Sequence, residues 1–119
     1  MRAYMAYDDG GINELGEVDK AQVVPLIGKA DASLTSEKQF GIGFYRNEKD
    51  FVEIRPVGKS EYMIWSDIIA KNRSPGFLGI FTRRKDHVEK IVTGHEAAAE
   101  AIYYYMDYSR EAFESRYCY

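Results

Sequence analysis

Residues 40–66 alternate. Phe40, Ile42 and Phe44 fall on every second position, then Val52 and Ile54, then Tyr62 and Ile64, and Asn47-Glu48-Lys49-Asp50 and Gly58-Lys59 separate the three runs. A period of two marks a strand with one buried face, and turn residues between such runs make consecutive antiparallel pairs. This pattern constrains the chain most, because slipping any strand by one residue would turn its apolar set to water. Arg2–Tyr7 reads as a further short strand, ended by a turn at Asp8-Asp9-Gly10-Gly11. Beyond the loop at Ser74-Pro75-Gly76, Phe77–Thr82 and His87–Val92 read as two more strands, joined by the basic turn Arg83-Arg84-Lys85-Asp86.

Two segments change to helical spacing. Asp19, with Gln22 three residues on, is a helix start, and Val23, Val24, Leu26 and Ile27 supply its apolar residues. Pro25 lies past the first turn and is expected to kink or shorten that helix. Near the C-terminus, Thr93-Gly94-His95-Glu96 fits a capping box, and Ala98, Ile102, Tyr105, Met106 and Phe113 share one broad face. One long helix over residues 94–115 is the expectation. The predicted fold is α+β: an antiparallel β-meander of about five strands, with a long C-terminal helix on one face and a short N-terminal helix. At 119 residues the chain makes a single domain, 1–119.

Several function classes fall away. No uncharged run approaches the roughly 20 residues that span a bilayer, so no membrane association is expected. Met1–Asp9 reaches a carboxylate pair too early for a signal peptide, and the single cysteine, Cys118, leaves no internal disulfide; a cytoplasmic protein is expected. The net charge of −3 disfavours a general nucleic-acid binder. It is unevenly spread, with −3 over residues 1–40, +3 over 41–90 and −3 over 91–119. Only His87 and His95 could serve as an imidazole base, and neither has a nucleophile at a telling spacing. Gly41-Ile42-Gly43 lies inside a strand and lacks the following helix N-terminus that a phosphate loop needs. No catalytic, metal-binding or cofactor-binding residues are assigned, and no enzymatic activity is expected.

The alternation leaves something over. If the helix covers Ile42, Phe44, Val52, Ile54, Tyr62 and Ile64, the opposite face carries Gly41, Gly43, Tyr45, Phe51, Glu53, Arg55, Glu61, Met63, Trp65 and Asp67. Ten Tyr, six Phe and one Trp are more aromatics than the helix-side core uses, and aromatics within a charged rim are what protein interfaces favour. The candidate partner-binding set is therefore Tyr45, Phe51, Glu53, Glu61, Met63, Trp65 and Asp67, with the acidic pair Asp8 and Asp9. In the helix, Tyr103-Tyr104-Tyr105 point about 100° apart, so at least one of them faces outward.

Phe40-Gly41-Ile42-Gly43-Phe44, Phe51-Val52-Glu53-Ile54 and Tyr62-Met63-Ile64-Trp65, followed by the terminal helix Glu96–Met106, resemble the small immunity proteins of bacterial polymorphic-toxin systems. The resemblance covers roughly residues 40–106. It implies a cytoplasmic protein without catalytic activity that binds a secreted toxin domain and occludes its active site. It also implies that carboxylates such as Asp8, Asp9, Glu14, Glu17, Asp19, Glu53, Glu61 and Asp67 compete for a cationic groove. Three alternatives remain: a small nucleic-acid-contacting domain that uses Arg83, Arg84 and Lys85, an enzyme with a carboxylate site at Glu53 or Glu61, and a structural domain whose exposed aromatics build a homodimer.

Overall fold

The structure is a computed structural model, and it describes residues 1–7, 11–32, 39–47, 49–67 and 87–117. It is an α+β fold with six strands and three helices among those residues. The elements are β1 (Arg2–Tyr7), β2 (Ile12–Glu17), α1 (Lys20–Ala32), β3 (Gln39–Tyr45), β4 (Phe51–Gly58), β5 (Glu61–Asp67), β6 (His87–Thr93), α2 (His95–Asp107) and α3 (Arg110–Tyr117). The sheet order is β2-β1-β3-β4-β5-β6, with every neighbouring pair antiparallel.

The period-two reading sets the register. Ile42 lies opposite Ile54, and Ile54 opposite Ile64, so the apolar positions form a row across three strands. Ile42, Phe44, Val52, Ile54, Tyr62 and Ile64 are all fully buried. The same core takes in Val23 and Ile27 of α1 and Ala98, Ala101, Ile102 and Tyr105 of α2, so both helices cover this inner face. Burying each of the larger apolar side chains is worth roughly 1.5–3 kcal/mol, and the row is the main source of cohesion.

Four expectations need correction. The chain adds β2, which pairs outside β1, so the sheet is not a simple meander: β1 lies between β2 and β3, and α1 carries the crossover. Residues 12–17 gave little periodic signal because β2 is an edge strand whose residues are mostly exposed. Pro25 does not shorten α1, which continues past it to Ala32. At the start of that helix, the Asp19 N–H donates to Gln22 Oε1 at 2.9 Å, half of the expected reciprocal cap. The Thr93 cap does not form: Gly94 is the N-cap of α2 with φ of 93° and no side-chain cap bond, and Thr93 belongs to β6. Finally, the C-terminal helix is two helices. Tyr108 is extended, and the Ser109 hydroxyl accepts the Ala112 N–H at 3.1 Å to start α3. The predicted strand Phe77–Thr82 and the basic turn Arg83-Arg84-Lys85 lie outside the described residues. Among the described ones, β6 pairs directly with β5.

The α2–α3 corner is held by buried charges. Arg110 donates Nε to Glu114 Oε2 at 2.9 Å, Nη1 to Asp50 Oδ1 at 3.3 Å and Nη2 to Ser66 Oγ at 2.6 Å. Asp50 Oδ1 also accepts the Tyr105 hydroxyl at 2.8 Å, and Asp50 Oδ2 accepts Arg46 Nη1 at 3.2 Å. Arg46 in turn donates to the carbonyls of Tyr105 and Tyr108, the loose C-terminal end of α2. Removing one member of such a network leaves the others buried and uncompensated, which costs about 3–5 kcal/mol. Arg110→Ala should lower the unfolding free energy obtained by urea titration by that much at unchanged slope, and a loss no larger than that of an exposed alanine substitution would refute the role given to it.

Candidate functional site: the open face of the sheet

The outer face takes the other half of each alternation. Strand register assembles it into rows: Glu14, Tyr4, Gly43, Glu53, Trp65 and Glu89 lie side by side from β2 to β6, and Tyr45 lies opposite Phe51. Among the described residues no helix covers these rows, since α1 and α2 both pack on the inner face.

The face closes itself instead. The Tyr4 ring lies over Gly43; a Cβ at that glycine would stand 2.0 Å from the Tyr4 ring. Arg55 lies beside Gly41 in the same way, with its Cγ 3.1 Å from where a Cβ would be. The two glycines of β3 thus make room for long side chains of the adjacent strands. The Tyr4 hydroxyl donates to Glu53 Oε2 at 2.5 Å, and Arg55 donates Nε and Nη2 to Glu53 Oε1 at 2.8 and 2.6 Å. The Arg55 guanidinium also lies 4.3 Å from the Trp65 ring centroid, and Trp65 meets Phe51 at 5.7 Å. At the other side Tyr4 packs against Tyr45 at 5.8 Å, and the Tyr45 hydroxyl donates to Glu14 Oε2 at 2.6 Å. Arg2 completes that end, donating Nε to Glu14 and to Tyr45, each at 3.2 Å.

Of the sequence-predicted residues, the structure brings Tyr45, Phe51, Glu53, Met63 and Trp65 onto this one face, with Glu61 exposed at the start of β5. Asp67 ends β5 in register with His87. Asp8 and Asp9 lie outside the described residues. Glu53 differs from its expected role as a rim carboxylate. It is 8% exposed, and Tyr4 and Arg55 occupy both of its oxygens. It therefore orders the layer. Tyr4 and Arg2 were missed, and Glu14 was named only among the acidic residues and not on this face. For Tyr4 a signal existed: Arg2, Tyr4 and Ala6 alternate against Ala3 and Met5, and two glycines in β3 imply overlying side chains.

The electrostatics follow these contacts. Burial, and then the hydrogen bond to Glu53, push the Tyr4 phenol far above its ordinary value of 10.0. Burial and the bond to Asp50 do the same for Tyr105 on the inner side. At the exposed end, the hydrogen bond from Tyr45 holds the Glu14 carboxyl below its ordinary value, aided by the Gly16 N–H and Arg2. No group of three or more His, Cys, Asp or Glu side chains among the described residues could hold a metal ion. Among them, too, no helix is long and apolar enough to cross a membrane. No protein-family model matches the chain, and the comparisons with curated proteins and with solved structures return no match.

The two raised phenols fix a sign. A phenol whose folded-state value is raised binds its proton more tightly folded than unfolded, so its contribution is complete below pH 10 and is lost as pH rises above it. Stability should fall with pH in the alkaline range, with a slope approaching two protons. Tyr4→Phe should reduce that slope by one proton and cost about 1.5–3 kcal/mol at neutral pH, the worth of a hydrogen bond to a charged group. Denaturant titrations of both proteins at several alkaline pH values, with phenolate absorbance followed in parallel, test this; equal slopes would refute it.

Proposed function

We propose that this protein is a non-enzymatic inhibitor, an immunity protein that binds a toxin domain through the open face of its sheet and occludes the toxin's active site. The observation that carries the reading is the self-braced layer of Tyr4, Tyr45, Glu53, Arg55, Trp65 and Phe51, which no helix covers among the described residues. Tyr, Trp and Arg are the residue types that dominate binding energy at interfaces. Here they are already held by neighbours, so little side-chain freedom remains to be lost on association, and preorganisation of this kind raises affinity. The carboxylates Glu14 and Glu61 flank the layer, and the chain carries a net charge of −3. Both suit a partner with a cationic surface, whose approach the field would accelerate and salt would slow. With both oxygens of Glu53 engaged, the most buried carboxylate of the face is committed to structure, in keeping with binding and not with acid–base chemistry.

The test is protection. The protein encoded beside this chain's gene is expressed from an inducible promoter, with and without the chain. Wild-type chain should restore growth. Trp65→Ala with Glu61→Lys should lose protection by an order of magnitude in tolerated inducer while the purified variant stays folded. Val24→Glu, on the exposed side of α1, should protect as wild type does. Protection that is absent, or unaffected by the first variant, would overturn the reading.

A further inference from the structure

We infer that Tyr4 is a positioning residue for the binding face: too covered to touch a partner, it holds Trp65 in place through Glu53 and Arg55. Its effect on affinity rests on the inhibitor reading above; the coupling between Tyr4 and Trp65 does not.

The centre of the outer face is closed to a partner. Tyr4 is 7% exposed and Glu53 8%, and Gly41 and Gly43 are buried beside them. Contact therefore falls to the half-buried Phe51, Met63 and Trp65 and to the exposed Ile91. Trp65 is the chain's one tryptophan, and tryptophan is among the residue types that carry most binding energy. A ring that must first be immobilised on binding loses part of that energy to ordering, so its orientation in the free protein matters.

That orientation has a visible support. Trp65 lies directly opposite Glu53 in the β4–β5 register, and Arg55, two residues along β4, reaches the indole diagonally. The Arg55 guanidinium carbon stands 4.3 Å from the ring centroid. A long side chain loses much rotamer freedom in such a position, so something must hold it there. Its stem lies over Gly41, and its head donates Nε and Nη2 to Glu53 Oε1 at 2.8 and 2.6 Å. Arg55 thus sits where Glu53 puts it.

Glu53 is fixed from the other side. Its second oxygen accepts the Tyr4 hydroxyl at 2.5 Å, from a ring seated over Gly43. Without that hydroxyl, Oε2 is buried and has lost its donor. A buried charged oxygen in that state is costly, so the carboxylate turns toward water. The two-point grip on Arg55 turns with it, and the guanidinium leaves the indole. The path runs from β1 over β3 to β4 and β5, three inter-strand spacings or about 14 Å of sheet.

Acrylamide quenching of Trp65 fluorescence reads this relay, on variants shown to be folded by circular dichroism. Tyr4→Phe keeps the ring over Gly43 and removes only the hydroxyl. It should raise the quenching constant about two-fold, and because both groups act on one path, Tyr4→Phe combined with Arg55→Met should quench no more than Arg55→Met alone. Tyr105→Phe also takes a buried hydroxyl from a carboxylate, but on the inner side of the sheet. It should quench as wild type does, which separates the relay from general loosening. Quenching of Tyr4→Phe equal to wild type, or of the double variant beyond Arg55→Met, would overturn the coupling. In the protection test, Tyr4→Phe should lower the tolerated inducer several-fold. Full protection by that variant overturns its role in binding; absent protection by wild type overturns the inhibitor reading and leaves the quenching result standing.

Discussion

One carboxylate organises the closed end of this molecule. Asp50, in the connection between β3 and β4, accepts from Tyr105 of α2, Arg110 of α3 and Arg46 of its own connection. Arg46 then satisfies carbonyls at the end of α2, and Arg110 reaches Glu114, Ser66 and the Phe51 carbonyl. The helix α3 has only eight residues, too few to persist alone in water. It exists because Arg110 ties it to the sheet and because Phe113 and Tyr117 pack into the core. Buried ion pairs contribute little net stability compared with apolar replacements, but they allow few arrangements. Here the arrangement is the corner at Tyr108-Ser109, which turns α3 back toward β6.

The opposite face follows a different logic. A sheet normally buries one face against helices, and the second is either covered or given to water. Among the described residues no helix lies on the second face of this sheet, and that face is not simply polar. Glycine at 43 lets Tyr4 lie over β3, which brings its hydroxyl to Glu53; Arg55 takes the other oxygen of Glu53 and stacks on Trp65. Each contact depends on the one before it across four strands. The result is a level, ordered surface in which aromatic area and guanidinium are presented without the flexibility such side chains usually have. The proposed toxin interface draws on that property.

The inner face was legible in the amino-acid order because its information is local. Each of Ile42, Phe44, Val52, Ile54, Tyr62 and Ile64 reports its own side by alternation, and the short connections at 46–50 and 59–60 leave neighbouring strands no choice but to pair. The α+β class and the candidate face followed from that. The edge strand β2 was not legible, because an exposed strand has no apolar set to alternate. The break at Tyr108-Ser109 was masked by helix-forming residues on both sides, and Ser109 was its only local sign. The burial of Glu53 within the outer layer depended on Tyr4, forty-nine residues away.

The sequence by itself determined which side of each central strand is apolar, that the strands pair antiparallel, and that aromatic material remains once the core is filled. These are consequences of a side-chain period and of chain connectivity, which act within a few residues. Only the tertiary structure decided that β1 would lie between β2 and β3, that Asp50 and Arg110 would meet, and that Glu53 would become the anchor of a surface layer instead of a free charge. Those outcomes rest on groups far apart in the chain, whose hydrogen bonds and ion pairs take effect only after the hydrophobic row has brought the strands into register.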